Sequence, residues 1–93
     1  MKVEIHMYDY QRSSELCVEA TLTDYGVVIR HPGSWDYQAE IEVVEGPEFK
    51  NIKVTDEEDN QWEPTGSEPD FLLDRIEQKL QDWWYTEIEE NRL

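Results

Sequence analysis

Two histidines, one cysteine and 23 carboxylates are the reactive side chains of this chain. His6 falls on the outward side of an alternating strand and His31 beside a proline turn; neither stands at metal-ligand spacing along the chain from Cys17 or from the other histidine. Cys17 could pair with a histidine in space, but a lone cysteine at an alternating strand position reads as a structural residue. Gly33-Ser34-Trp35 lacks the glycine spacing of a nucleophile elbow. Asp56, Glu58 and Asn60 match the first, third and fifth positions of a calcium loop, but Gln61 stands where the turn requires glycine and Ser67 where a bidentate glutamate is needed. Carboxylate pairs suited to general acid–base work are so numerous that their spacing selects none. The expectation is a non-enzymatic protein with no catalytic residue, cofactor or metal set.

Composition bounds the partners. With 8 Lys and Arg against 23 Asp and Glu, the formal net charge of the 93 residues is -15. Phosphate binding draws its affinity from cationic side chains, so direct contact with nucleic acid or an anionic membrane is disfavoured and a basic protein partner is favoured. The chain is 38% hydrophobic and 12% aromatic, which separates it from disordered acidic tails. One cysteine excludes an intrachain disulfide and points to a reducing cytoplasm. Charged or imidazole side chains at every second position from Lys2 to His6 speak against a signal peptide, and no apolar run approaches a membrane span.

The elements that must position these residues follow from two periodicities. Val3, Ile5 and Met7, then Leu16, Val18, Ala20 and Leu22, recur with period two, predicting strands with one buried face. Asp24-Tyr25-Gly26 reads as a tight turn into Val27-Val28-Ile29, making a hairpin of the second and third strands. Ala39, Ile41 and Val43 mark a fourth strand ending at Gly46-Pro47. Ile52 to Thr55 begins a fifth, and Asp56 to Asn60 forms a tip returning through Gln61-Trp62-Glu63. From Ser67 the period becomes helical: Ser67 as N-cap, Asp70 in capping-box position and Pro69 in the first turn predict a helix to about residue 90, with Leu72, Leu73, Ile76, Leu80, Trp83 and Trp84 on one stripe. The prediction is a single α+β domain over residues 1–93: an antiparallel meander of five or six strands (1–64) packed against one long C-terminal helix (67–90).

The acids are distributed through these elements. Residues 1–47 hold 9 acids against 3 bases, and residues 48–93 hold 14 against 5. Asp70, Asp74 and Glu77 share the helix face opposite the apolar stripe, where like charges one turn apart repel. Asp56, Glu57, Glu58 and Asp59 form a flexible acidic tip, and Glu19, Glu40 and Glu42 project from the polar side of the sheet. Carboxylates on rigid elements imitate the charge of a nucleic acid backbone, although an acidic surface also serves solubility alone. Trp35, Tyr37 and Trp62, near turns, are the candidate aromatic anchors.

The segment Val54-Thr55-Asp56-Glu57-Glu58-Asp59-Asn60-Gln61-Trp62-Glu63-Pro64, followed by Thr65-Gly66-Ser67-Glu68 and an amphipathic helix, resembles the layout of small acidic proteins encoded by tailed bacteriophages. The resemblance covers roughly the last 40 residues and transfers no functional residue. It implies an inhibitor of host defence or of host nucleic-acid enzymes, of the anti-restriction or anti-CRISPR kind, acting in the host cytoplasm. The leading expectation is therefore a nucleic-acid mimic that blocks the basic groove of a DNA- or RNA-binding protein. The alternative is a structural or assembly protein, a homodimer for instance, self-associating through a sheet edge and its aromatic residues.

Overall fold

The computed structural model describes residues 1–36, 38–68 and 70–93. The chain runs through β1 (Lys2–Asp9), β2 (Ser14–Asp24), β3 (Val27–His31), β4 (Glu40–Glu45), β5 (Glu48–Thr55), β6 (Gln61–Trp62) and the helix α1 (Leu72–Glu89). Strands β1-β2-β5-β6 form an antiparallel sheet in that order, and β3 with β4 forms a second, two-stranded sheet. The fold is α+β, as the two periodicities predict.

Alternation sets which face of the larger sheet is buried. The register places Val3 opposite Ala20, Ile5 opposite Val18 and Met7 opposite Leu16, and Val18 opposite Val54. These side chains meet Leu72, Ile76 and Leu80 of the helix in one core. The buried helix residues Leu72, Ile76, Leu80, Trp84 and Ile88 recur every fourth position, a row that runs along one side of an α-helix. No described helix is long and apolar enough to cross a membrane.

Two local expectations are corrected. The expected hairpin between the second and third strands does not form, because β2 is already paired on both edges, with β1 and with β5. The chain leaves the sheet at Gly26, whose φ of 76° is readily available only to glycine, and the Gly26 N–H donates to Asp24 Oδ1 at 2.9 Å. β3 then pairs with β4 instead. This hairpin is tied to the helix by the Trp84 indole N–H, which donates to the Tyr25 carbonyl at 2.8 Å. Arg30 Nη2 also donates to the Ile88 carbonyl at 2.8 Å, placing a cation at the negative end of the helix dipole.

The second correction concerns the helix start. Ser67 is not the N-cap, Asp70 does not form a capping box, and Pro69 lies outside the described residues. The cap position is Phe71, in the left-handed region at φ 55° and ψ 39°, with no side-chain cap. The preceding segment turns on Glu68, whose carboxylate accepts the N–H groups of Thr65 and Gly66, both at 3.1 Å. A bulky residue at positive φ costs roughly 1–2 kcal/mol, and Phe71 is 68% exposed, so its side chain returns little of that cost. Phe71→Gly should raise stability by about 0.5–1 kcal/mol after the entropy of glycine is deducted. Phe71→Ala should not, a contrast that urea denaturation of the two variants checks.

Candidate functional site

The most sheltered charged groups lie where β1 ends. Asp9 continues the inward alternation Val3, Ile5, Met7 and is fully buried. Arg12 Nη1 donates to Asp9 Oδ2 at 2.5 Å and also to Asp70 Oδ2. Arg75 Nη2 donates to the same Asp70 oxygen at 2.9 Å and to Asp9 Oδ1 at 3.4 Å. The Gln11 N–H completes the set on Asp9 Oδ1 at 3.0 Å. Burial by itself pushes the Asp9 carboxyl up, but the Arg12 and Gln11 hydrogen bonds and the charges of Arg75 and Arg12 outweigh it and hold it below the usual carboxylate range. Asp70 is likewise held low, burial opposing and Arg12 and Arg75 prevailing. Two acids and two bases cancel here, so the whole net charge of -15 belongs to the remaining surface.

This arrangement removes Asp70 from the predicted helix ridge. Its side chain is 8% exposed and joins the helix entry to the β1–β2 turn. Asp74 and Glu77 do stand exposed on the helix, and Glu40 and Glu42 on β4. Glu42 lies 3.6 Å from His31, and Glu19, half-buried, lies 3.4 Å from Lys2.

The acidic tip is a hydrogen-bonded turn. Asp56 Oδ1 accepts the N–H groups of Glu58 and Asn60, both at 2.9 Å; burial pushes its carboxyl up, and these bonds more than offset it. Glu57 Oε1 accepts the Glu15 N–H at 3.1 Å, and the Glu57 N–H donates to Ser14 Oγ at 3.3 Å. Glu58 and Asp59 are left projecting. Of the aromatic anchors, Trp35 is 98% exposed, whereas Trp62 is half-buried under the Arg12 guanidinium, 5.7 Å from its ring centroid. Tyr37 lies outside the described residues.

No family model, curated protein or solved structure matches the chain. Function is accordingly read from its own geometry. The molecule measures 51 × 25 × 22 Å, an elongated body with exposed acids on the helix, on β4 and at the β5–β6 turn. Its clefts are open at the surface. One lies between the hairpin and the helix C-terminal half, lined by Arg30, His31, Glu40, Tyr85 and Glu89 among others. A groove so exposed to water offers carboxylates to a cationic surface but little of the enclosure that small-molecule sites provide.

Sequence spacing alone misses two groupings. Asp9 and Arg12 are core-facing and turn residues whose partners, Asp70 and Arg75, are some 60 positions away along the chain. An acid in the apolar register of a strand is the signal that marks them. The second grouping arises from register: His6 is the cross-strand partner of Cys17, and Glu4 precedes His6 by two on the same face.

Proposed function

We propose that this is a non-enzymatic acidic binding protein that occupies the nucleic-acid-binding surface of a basic host protein, as an inhibitor of the anti-restriction or anti-CRISPR kind. One observation supports the reading above the others. Fifteen net negative charges along 51 Å amount to one per about 3.4 Å, the axial spacing of phosphates on one strand of a duplex. Because Asp9, Arg12, Asp70 and Arg75 cancel internally, this charge is carried by the remaining side chains. Asp74 and Glu77 on the helix, Glu40 and Glu42 on β4, and Glu58 and Asp59 at the turn are the contact residues in this reading.

The test is capture of partners from a bacterial lysate on the immobilised protein, followed by elution with salt or with duplex DNA. The captured protein should be basic and displaced by DNA, with affinity falling roughly tenfold or more between 50 and 200 mM salt. Replacing Asp74, Glu77, Glu40 and Glu42 together by lysine should weaken capture by more than about tenfold. A partner held equally well by that variant and in high salt would end the mimic reading.

A second reading is favoured by a different observation. Among the described residues, β1 is the terminal strand of its sheet with one side unpaired, and the hairpin exposes Val27, Ile29 and Val44. Free strand edges beside exposed apolar residues are where sheets join. In this reading the protein self-associates, and light scattering showing a monomer at every concentration would exclude it.

A further inference from the structure

The outer face of the larger sheet carries a group of donors with no part in the acidic-mimic reading. On β1, Glu4 and His6 are two residues apart and project to the same side; on β2, Cys17 is the direct cross-strand partner of His6. Glu4 Oε1 lies 3.2 Å from His6 Nε2 and 3.4 Å from Cys17 Sγ. All three donor atoms lie within 4.8 Å of one another. A tetrahedral ion with bonds of 2.0–2.3 Å to oxygen, nitrogen and sulfur separates its ligand atoms by about 3.3–3.8 Å. The two contacts from Glu4 Oε1 are thus already close to the edges of such a tetrahedron, before any ion arrives.

We propose that Glu4, His6 and Cys17 form a binding site for a divalent transition-metal ion of the zinc class. Ligand chemistry selects the class. A thiolate and an imidazole beside one carboxylate suit zinc and its neighbours, whereas calcium and magnesium require oxygen donors throughout. On binding, the metal replaces the proton of the Cys17 thiol, which passes to solvent, and takes the lone pair of His6 Nε2, whose ring proton resides on Nδ1. The fourth coordination position faces water, since Glu4 and His6 are more than half exposed. Glu19, opposite Glu4 on β2, adds negative charge beside the site, and the acidic surface as a whole raises the local concentration of cations. Short β-strand register makes the site stiff: both strands are held by a continuous ladder from Lys2 to Asp9, so the three Cα positions are fixed independently of the ion.

Cobalt(II) titration of the reduced protein under nitrogen tests this directly. A near-ultraviolet sulfur-to-cobalt charge-transfer band should grow to saturation at one equivalent, with visible ligand-field bands of tetrahedral intensity, and zinc should abolish both. Cys17→Ser should remove the charge-transfer band, and His6→Gln should weaken cobalt binding by about tenfold or more, with unchanged circular dichroism in each. Glu63→Gln, an exposed acid just past the end of β6 and separated from β1 by two intervening strands, should bind cobalt like the parent. The proposal is overturned if no thiolate band develops in a large molar excess of cobalt, or if His6→Gln binds as tightly as the parent.

Discussion

Asp9→Ala should lower the unfolding free energy by about 3 kcal/mol, the steepest loss expected from any single charge deletion in this chain. Arg12 and Arg75 both converge on the Asp9 carboxylate, which is fully buried. Removing one member of a sheltered ion network strands the others without compensation, and the cost of that is roughly 3–5 kcal/mol for buried pairs. The lower end applies because each guanidinium is about one-third exposed and rehydrates in part. The sign of the pH dependence follows from the same contacts. Asp9 and Asp70 are both held below the usual carboxylate range in the folded protein. Their contribution is therefore complete above the unfolded carboxylate value near pH 4 and is lost as pH falls through their folded values. Thermal melts from pH 6 down to pH 2 should show stability dropping below about pH 4, and Asp9→Ala should flatten that drop. A variant as acid-sensitive as the parent would show that other carboxylates control it.

Gly26→Ala should destabilise by about 3 kcal/mol through an unrelated cause. A methyl group at this position would sit 2.7 Å from the Glu45 carbonyl oxygen and 2.9 Å from Trp84 Cζ2, at a φ of 76°. The left-handed conformation costs an alanine roughly 1–2 kcal/mol, and overpacking against a backbone carbonyl and a buried indole adds about 1–3. Gly46 provides the internal control, because a methyl group there meets nothing within 4 Å. Gly46→Ala should stay within about 0.5 kcal/mol of the parent. Guanidinium denaturation followed by tryptophan fluorescence reads both, since Trp84 packs at the affected junction.

What was legible in the chain was whatever depends on neighbours in sequence. Period two from Val3 to Leu22 and the helical stripe from Leu72 to Trp84 specify which faces are buried, so the α+β class, the strands and the C-terminal helix could be read directly. Partner choice between strands could not. Asp24-Tyr25-Gly26 has turn chemistry, but whether the turn folds β3 back on β2 depends on β5 claiming the same edge, a competition between segments far apart in the chain. Asp70 shows the same limit for the site. Its place between Pro69 and Phe71 gives it the look of a helix-capping acid, and two guanidiniums, one of them 58 residues earlier, take it instead. Glu4, His6 and Cys17 escape any scan for ligand spacing because the strand ladder, not the chain, sets their separation.

The position of the β3–β4 hairpin has a consequence for how this fold can change. Asp24 at the end of β2 and Glu48 at the start of β5 are cross-strand partners, so the chain departs from the larger sheet and rejoins it at one point. Residues 25–47 are topologically an insertion into a β2–β5 connection that a short turn could close. Closure entropy grows only logarithmically with loop length, about 0.6 kcal/mol per doubling. Outside the Tyr25, Gly26 and Arg30 contacts with the helix, the inserted hairpin, with its exposed glutamates and valines, is therefore free to change its surface while the sheet that carries it keeps its register.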